Sequence, residues 1–271
     1  MVVGSVEILP VLDAVGALGR YGDAYPDVPE EEWEPYRELY PELFAGPDWR
    51  LPVLVHVLRS ADRTILVDTG AGPAGLWTDW APEREGLLPS ELKRLGIRSE
   101  DVDVVFLTHL HVDHIGWNTD ERGAVFFRRA RYVVHPDALS FALSNPDRDH
   151  IERCVAPLVD RFEWVDETVE LAPGVRPRAL PGHYPGHMGL SIASDGARAE
   201  LIADIAPMPA LLERPEWVFA WDDMEQTSTR AALVDELVDT DCLAACGHFP
   251  GSGIGRVVRR DGRVVWEEVA R

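Results

Sequence analysis

Positive charge is scarce in this sequence of 271 residues, which contains a single lysine, Lys93. The 26 basic residues are outnumbered by 47 acidic ones, so the formal net charge is -21. Affinity for phosphate backbones and for anionic membrane surfaces comes mainly from Lys and Arg. We therefore expect neither a nucleic acid nor a membrane as a partner.

Long apolar runs and a cysteine framework are also missing. No segment approaches the roughly 18 apolar residues that span a bilayer. The N-terminus has no basic region before an apolar stretch, so we expect no signal peptide. The three cysteines, Cys154, Cys242 and Cys246, are odd in number and show no zinc-finger spacing. These absences predict a reducing, cytoplasmic setting.

No repeat, low-complexity tract or Ser/Gly-rich linker divides the chain, so we predict a single domain over residues 1–271. Residues 20–50 differ from the rest because they are rich in Pro, Glu, Tyr and Trp. This segment is too aromatic for a disordered tail and too interrupted by proline for a long helix. We expect a packed N-terminal excursion that serves as a lid or as a subunit contact. A homodimer is an alternative to a monomer.

Strand patterns dominate after residue 50. Apolar, β-branched runs and turn residues predict strands at 51–58, 64–68, 102–108, 132–135, 175–180, 188–193, 199–203, 242–247 and 256–268. Helical spacing and helix-start signals predict helices at 88–95, 136–143 and 225–238. Because the helices fall between groups of strands, we expect a mixed α/β (α+β) fold with two sheets packed face to face and helices outside.

A cluster of metal-ligand side chains follows the apolar residues 102–107. It consists of His109, His111, Asp113 and His114. Alternate residues of an extended chain share a face, so His109 and His111 can hold one ion together. Of the neighbours Asp113 and His114, one must point away from that ion, so a tight turn here can supply two adjacent ions. Imidazole and carboxylate ligands suit zinc.

Further candidate ligands stand where later strands meet loops, which is the usual place for function on a rigid scaffold. His183 and His187 lie in a loop rich in Gly and Pro, and Asp204 and His248 each end a predicted strand. We expect structural or surface roles for the remaining histidines, His56, His135 and His150.

The run from His109 to His114 resembles the H-x-H-x-D-H signature of the metallo-β-lactamase superfamily. The turn Asp68-Thr69-Gly70 resembles the upstream D-T-G turn of that family. The Pro-Gly-His loop and the two strand-end ligands follow in the family's order, and the resemblance extends from about Val53 to His248. It implies an αββα sandwich of two mixed sheets, which agrees with the predicted strands.

The resemblance also implies two divalent metal ions, with zinc as the preferred candidate. The implied ligands are His109, His111 and His183 for the first ion, and Asp113, His114 and His248 for the second, with Asp204 bridging both. The family takes its ligand from the first histidine of the Pro-Gly-His loop, so His187 is expected to be structural. Asp68 is expected to orient a ligand or its loop, since metal-bound histidines normally donate their other ring N–H to an acceptor.

Two adjacent ions predict the class of reaction. They lower the pKa of a shared water toward about 7 and polarise a carbonyl or phosphoryl oxygen. We therefore predict hydrolysis of an ester-like bond by a metal-bridging hydroxide. The residues predicted to take part in catalysis are Asp113, Asp204 and Tyr184.

Within the superfamily, the sequence is similar to the lactonase and organophosphate-hydrolase branch. The supporting features are residues 86–89, the pair Thr229-Arg230 and residues 248–255. The family's true β-lactamases generally have a cysteine where Asp204 stands, and flavo-diiron relatives have a glutamate at the position of His111. Both residues therefore argue against those branches.

One position departs from the branch pattern. Its lactonases often place a tyrosine three positions after the bridging aspartate, where this chain has Pro207; Tyr184 could substitute. We predict a lactone or a related carboxylic ester as the substrate. The alternatives are a phosphotriester hydrolase on the same site and a mononuclear iron enzyme of the persulfide-dioxygenase type.

The remaining walls of the pocket are expected to be aromatic and aliphatic, as a mostly apolar pocket requires. The candidates are tryptophans in the loops that flank the ligand motifs: Trp77, Trp80, Trp117, Trp217 and Trp221. The alternative is that these residues belong to the core or to an interface.

Overall fold

The computed structural model describes residues 1–77, 80–144, 149–220, 222 and 226–269. Within these ranges the backbone forms one sheet of nine strands and one of six, with helices on the outer faces. None of the helices in this part of the chain combines the length and the apolar character needed to cross a membrane.

The first sheet comes from the N-terminal half of the chain. Its strands are β1 Val2–Val3, β2 Val6–Arg20, β3 Phe44–Ala45, β4 Asp48–Ser60, β5 Arg63–Val67, β6 Ala81–Arg84, β7 Val104–Phe106, β8 Arg131–Val134 and β9 Phe162–Trp164. The main path runs β1-β2-β4-β5-β7-β8-β9, with β3 beside β4 and β6 beside β2. Strands β5, β7, β8 and β9 are parallel, whereas β2, β4 and β5 are antiparallel neighbours.

The second sheet comes from the C-terminal half. Its strands are β10 Val175–Ala179, β11 Met188–Ser194, β12 Ala197–Leu201, β13 Leu243–Ala245, β14 Ile254–Arg260 and β15 Arg263–Glu268, and they lie in sequence order. Only β12 and β13 pair in parallel within this sheet. Because neighbouring parallel strands end at the same edge of a sheet, the residues that follow β12 and β13 lie close together.

The helices are short. They are α1 Tyr21–Ala24, α2 Glu34–Leu39, α3 Leu88–Arg94, α4 Val112–Ile115, α5 Pro136–Ser144, α6 Asp149–Cys154, α7 Ala210–Glu213 and α8 Thr227–Leu237. The 3-10 turns are Glu30–Trp33, Pro41–Leu43, Ser99–Asp101, Gly116–Asn118, Ala156–Arg161 and Ala203–Ile205. Helix α3 ends just before Gly96, whose φ of +73° is a backbone conformation that glycine tolerates best.

Three apolar clusters define four layers. The first fills the space between the sheets, where side chains such as Phe106 from β7 meet others such as Leu190 from β11. A second cluster packs α3, α5 and α6 on the outer face of the nine-stranded sheet. The third cluster packs α7, α8 and the segment 20–50 on the outer face of the six-stranded sheet. This is the predicted αββα sandwich of two mixed sheets.

The predicted strands and helices from residue 51 onward are present, with ends shifted by a few residues. Strand β7 is shorter than predicted because Leu107 to His111 leave the sheet to form the ligand loop. Strand β2 was not predicted, because Pro10 and Gly16 interrupt the strand pattern. Beside β4 this strand shifts register at Asp13, which turns that side chain into the interior.

Residues 20–50 contain short helical turns and β3, and they lead into β4. Their aromatic side chains lie against each other, with the ring of Trp33 centred 4.7 Å from Tyr21 and 4.6 Å from Trp217. The segment thus packs on the loop that follows Asp204. A lid function or a subunit contact for this segment stays a prediction.

Candidate metal centre

The predicted ligands come together at one edge of the sandwich, where strands of both sheets end. The ligand run leaves β7 and enters α4, whose first residue is Val112. His183 lies in the loop between β10 and β11, with a φ of +62°. Asp204 lies in the 3-10 turn after β12, and His248 lies after the neighbouring strand β13. The pairing of β12 with β13 therefore places the last two side by side.

The first group of ligands is a triangle of imidazoles. His111 Nδ1 lies 3.1 Å from His109 Nε2 and 3.1 Å from His183 Nε2. All three nitrogens lie within 4.8 Å of one another, and His109 and His183 are buried. Nitrogens that converge on one point in this way can bind one cation.

The second group consists of Asp113, His114 and His248. Asp113 Oδ2 lies 3.4 Å from His248 Nε2 and 3.6 Å from His114 Nε2, and the two imidazole nitrogens are 3.4 Å apart. The start of α4 explains this geometry, because His111 lies in extended backbone directly before the helix, whereas Asp113 and His114 lie in its first turn. His111 therefore faces the first group, whereas Asp113 and His114 face the second.

Asp204 lies between the two groups. Its Oδ2 is 3.6 Å from His183 Nε2 in the first group and 3.4 and 3.3 Å from the Nε2 atoms of His114 and His248 in the second. The other oxygen, Oδ1, is buried and has no hydrogen-bond partner among the described residues. Buried carboxylate oxygens are normally satisfied, so an unsatisfied one at this point fits a bound cation.

The electrostatics favour the same interpretation. Burial lowers the pKa of His109 well below its usual value and that of His183 to about 3, which leaves neutral imidazoles suited to bind a metal. Burial also lowers the pKa of His114 and His248, but the carboxylates of Asp204 and Asp113 outweigh it and raise both values. A metal cation would replace protons at this second group.

Acceptors behind the ligands fix their orientation. His114 Nδ1 donates to Asp68 Oδ2 over 2.8 Å, and Asp68 also accepts bonds from the amide and the hydroxyl of Thr108. Asp68 thus orients a ligand and its loop, as predicted. His248 Nδ1 donates to the carbonyl of Pro52 over 2.8 Å. Such bonds set the ring orientation and make the ligand nitrogen more basic.

His187 has the structural role predicted for it. Its Nδ1–H donates to the carbonyl of Leu180 over 2.8 Å, and its Nε2 accepts the amide N–H of Asp204 over 3.1 Å. Burial lowers the pKa of His187 to about 3, so the imidazole is neutral and can accept that bond. His187 therefore positions the backbone of the bridging residue.

Asp222, which was not predicted as a site residue, orients His183. Asp222 Oδ1 accepts the Nδ1–H of His183 over 2.7 Å, and its Oδ2 accepts a bond from the side-chain amide of Gln226. Arg230, fully buried on α8, donates to the carbonyls of Ile205, Pro215 and Trp217 and so fixes the loop that leads to Asp222. Nothing in the local sequence marks Asp222, because no motif links it to a histidine 39 positions earlier.

The structure brings all seven predicted ligands together but places Tyr184 elsewhere. Its side chain is fully buried, with ring centroids 4.9 Å from His111 and 5.0 Å from Phe141 of α5. The turn at 182–184 folds the ring back into the apolar cluster beneath the histidines. This position supports packing under the ligands, and the predicted catalytic contact with substrate finds no support in it.

A cavity of about 500 Å³ opens above the ligands. The ligands His111, Asp113, His183, Asp204 and His248 line it on one side. Apolar residues line most of the rest: Leu18, Trp49, Leu51, Trp77, Val112, Pro207 and Phe219. His150, for which we expected no function, also lines the cavity. The described residues therefore form a mostly apolar pocket over the ligand groups.

Of the four predicted wall tryptophans that the structure describes, one lines this cavity. Trp77 does so, and Trp80 stacks on it with ring centroids 4.6 Å apart. Trp117 is instead buried beneath the sheet and donates to Asp13 Oδ1 over 2.9 Å. Trp217 packs on Trp33 in the aromatic cluster. Trp221 lies outside the described residues.

Comparison with known proteins places this site in a family context. A sequence model of the metallo-beta-lactamase superfamily matches residues 48–248. The chain is 26% identical over 210 residues to an N-acyl homoserine lactonase of Bacillus cereus, covering 72% of this chain and 80% of the relative. It is 28% identical over 209 residues to an N-acyl homoserine lactonase of Bacillus thuringiensis, with the same coverage.

Solved structures show the same fold. AidC, a dizinc quorum-quenching lactonase in complex with a product, superposes with a TM-score of 0.85 at 20% identity, covering 100% of this chain and 97% of the other. The hydrolase AbOPH gives a TM-score of 0.85 at 23% identity with the same coverage. The architecture with two mixed sheets is therefore shared with known members of the superfamily.

Proposed function

The chain belongs to the metallo-beta-lactamase superfamily, and from this premise we propose that it is a dinuclear metal-dependent hydrolase that opens a lactone or cleaves a related carboxylic ester. The observation that carries the proposal is the position of Asp204 between two complete ligand groups, beneath a largely apolar cavity. The preferred ions are two Zn²⁺, because imidazole and carboxylate ligands in groups of three or four suit that metal.

The ligand groups would hold the two cations at the floor of the cavity. When bound, such a pair supplies a nucleophile from water at neutral pH and polarises the carbonyl oxygen under attack. Asp204 fixes the spacing of the groups through Oδ2, and His187 fixes Asp204 through its amide. The apolar walls exclude bulk water, which strengthens electrostatic interactions inside the cavity.

Asp113 is the second carboxylate that lines the cavity. Ring opening releases a proton from the attacking water and requires one for the leaving alkoxide oxygen. We assign this transfer to the Asp113 carboxylate, which takes up the first proton and delivers it to the leaving oxygen. Acid–base transfer by a positioned side chain typically contributes about 10²- to 10⁴-fold in rate.

The substrate class follows from the relatives and from the walls. The two relatives named above are N-acyl homoserine lactonases. No lysine or arginine occurs among the described residues that line the cavity, so an uncharged substrate with an apolar substituent fits it better than an anionic one. Pro207 lines the cavity where lactonases of the branch often have a tyrosine, so the polar contacts to the substrate must come from elsewhere.

A panel of purified substrates tests the proposal. We expect the zinc-loaded protein to open lactones and to hydrolyse paraoxon-type phosphotriesters more slowly. If the protein is inactive on every lactone but hydrolyses the triesters, the phosphotriesterase alternative is correct. Metal analysis addresses the other alternative, because about one iron per chain with oxygen consumption would indicate the persulfide-dioxygenase type. The Asp204→Asn variant should lose activity while its far-UV circular dichroism stays unchanged.

Three broader assignments belong to this proposal. We propose a cytoplasmic location because Cys154, Cys242 and Cys246 are free and buried, as thiols are in a reducing compartment. We also propose that residues 1–271 form one domain, in which the segment 20–50 packs beside the ligand groups. A homodimer is a further assignment, which light scattering of the purified protein would test.

A further inference from the structure

A buried carboxyl group lies behind the ligand run without a cationic partner. Asp13 of β2 has no exposed surface, and the register shift beside β4 turns its side chain into the interior. Its hydrogen-bond partners in the described part of the chain are two backbone amides and an indole, and none is a lysine, an arginine or a histidine. Burial of a charge without a cation is costly. Packing alone therefore does not account for a carboxyl group at this position.

The carboxyl group joins three segments that are far apart in sequence. Its Oδ1 accepts the backbone amide of Leu88 over 2.8 Å and the indole N–H of Trp117 over 2.9 Å, and its Oδ2 accepts the amide of Gly72 over 3.1 Å. Leu88 begins α3, Gly72 ends the turn at 68–72, and Trp117 lies in the 3-10 turn that follows α4. An ionised carboxyl accepts through both oxygens, whereas an amide side chain has only one acceptor atom. A carboxylate is thus suited to hold all three segments at once.

The turn at 68–72 in its turn holds one of the ligands. Thr69 donates its amide to the carbonyl of His114 over 2.7 Å, and Trp117 donates its amide to the carbonyl of Thr69 over 3.1 Å. Asp68, at the start of the same turn, accepts the ring N–H of His114 over 2.8 Å. Both the backbone and the ring of this ligand are therefore held by a turn whose other end bonds to Asp13.

We propose that Asp13 is a positioning residue for the second ligand group: its buried carboxylate fixes the turn at 68–72 and Trp117, and through them the imidazole of His114. The proposal rests on the proposed two-metal hydrolase. Asp13 does not line the cavity, so it acts on the affinity for the second ion and has no contact with substrate. Such support behind a ligand holds it in the geometry that binding requires.

Asp13→Asn tests the proposal with little change in volume. The asparagine oxygen can accept from Leu88 and Trp117, but its NH₂ group then faces the amide N–H of Gly72, and two donors cannot bond. Burial raises the pKa of Asp13 to about 6, so the comparison is made at about pH 8, where the wild-type carboxyl is ionised. We expect the second ion to bind about tenfold more weakly, the lower end of the loss when an acceptor behind a metal ligand is removed.

Cadmium NMR of the Cd²⁺-loaded protein can distinguish the two ligand groups. The first group offers three imidazoles, and the second offers two imidazoles and a carboxylate, so the two ions should give separate resonances. Under limiting chelator, Asp13→Asn should lose one resonance first. Asp222→Ala, which removes the acceptor of His183, should lose the other first. A role in overall stability alone would weaken both resonances together.

Two other variants and a rescue complete the test. Trp117→Phe removes one bond to Asp13 and keeps an aromatic ring, so it should weaken the same resonance by a smaller factor. Asp103→Asn is the matched control, because Asp103 also accepts a backbone amide, that of Thr64 over 2.8 Å, but lies before β7, whereas the ligand run follows that strand. It should bind both ions as wild type does. Excess Zn²⁺ should restore the kcat that Asp13→Asn loses at limiting metal.

The possible outcomes separate this proposal from the proposed function. If wild type binds two ions and Asp13→Asn binds both with the same affinities, this proposal alone is refuted. Equal weakening of both resonances would show a general structural role and would also refute it. If Asp13→Asn does not fold, Trp117→Phe decides, and unchanged affinities in that variant count against the proposal. A wild type that binds fewer than two ions would refute the dinuclear site and this proposal with it.

Discussion

Replacement of Asp222 tests whether the acceptor behind His183 determines metal affinity. In Asp222→Ala the Nδ1–H of His183 would lose its partner, and His183 is only 2% exposed, so water cannot replace the bond freely. A buried donor left without a partner costs about 1–3 kcal/mol. That range corresponds to a loss of roughly 5- to 150-fold in affinity for the ion held by the first group.

Asp222→Asn separates charge from hydrogen bonding. The amide oxygen of asparagine can still accept from His183, and its NH₂ can donate to Gln226 Oε1, which has no partner among the described residues. Burial raises the pKa of Asp222 to about 7, so the comparison is made at about pH 8, where the carboxylate is mostly ionised. The substitution then removes its negative charge, and charge-assisted hydrogen bonds are about twice as strong as neutral ones. We therefore expect the loss of affinity for Asp222→Asn to lie between wild type and Asp222→Ala.

Competition with a chromophoric chelator measures these affinities, and metal analysis gives the number of ions per chain. Under limiting chelator, Asp222→Ala should retain closer to one ion than two, since the acceptors of the second group are untouched. Asp137→Asn is the matched control, because Asp137 lies 3.8 Å from the Nδ1 of His135, a histidine in neither ligand group. Two ions bound by Asp222→Ala as tightly as by wild type would show that the acceptor does not support the site.

Three other changes test the scaffold and the cavity. Gly116→Ala should destabilise the protein by at least about 2 kcal/mol and lower its metal content, because a Cβ there would lie within 3.0 Å of the backbone of Ala71 and Gly72. Gly22→Ala is the control, because a Cβ at Gly22 meets open space. Equal urea midpoints for the two variants would contradict the predicted destabilisation. Burial raises the pKa of Asp13 from 3.8 to about 6. Because the native state then binds this proton more tightly than the unfolded state, the contribution of Asp13 to stability is full below about pH 4 and is lost as pH rises through about 6. Relative to Asp13→Asn, the wild-type unfolding free energy should fall by about 2 kcal/mol between pH 4 and 7, and parallel pH profiles in urea titrations would refute the raised pKa. Trp77→Ala should raise KM about tenfold for lactones with long apolar substituents and leave short ones nearly unaffected; a uniform change across a chain-length series would show that Trp77 does not contact the substituent.

Much of the fold could be predicted because its signals are local. The hairpin at Asp261-Gly262 and the helix that stops before Gly96 depend on residues close in sequence. Strand β2 was missed because its proline and glycine weaken the pattern. That strand is stabilised by pairing with β4, whose residues lie dozens of positions later. Such pairing is not visible in a local window.

The walls of the cavity were less predictable than its floor. Trp117 and Trp217 lie near ligand motifs in sequence, yet their side chains enter the core. Phe219 and Leu18 line the cavity although neither adjoins a motif. Phe219 lies in the loop after Asp204 and packs on Tyr25 and Trp49, whereas Leu18 lies near the end of β2. Proximity in sequence therefore did not indicate which aromatic side chains line the cavity.

The sequence alone predicted the seven candidate ligands, because metal binding requires particular side chains, and their order and spacing from His109 to His248 resemble one family's pattern. Tertiary structure alone decided the surroundings of those ligands. It placed Asp222 behind His183, Tyr184 beneath the histidines and His150 at the cavity wall. These positions depend on contacts between segments far apart in the chain, and a single sequence does not record which of its polar residues such packing will bring together.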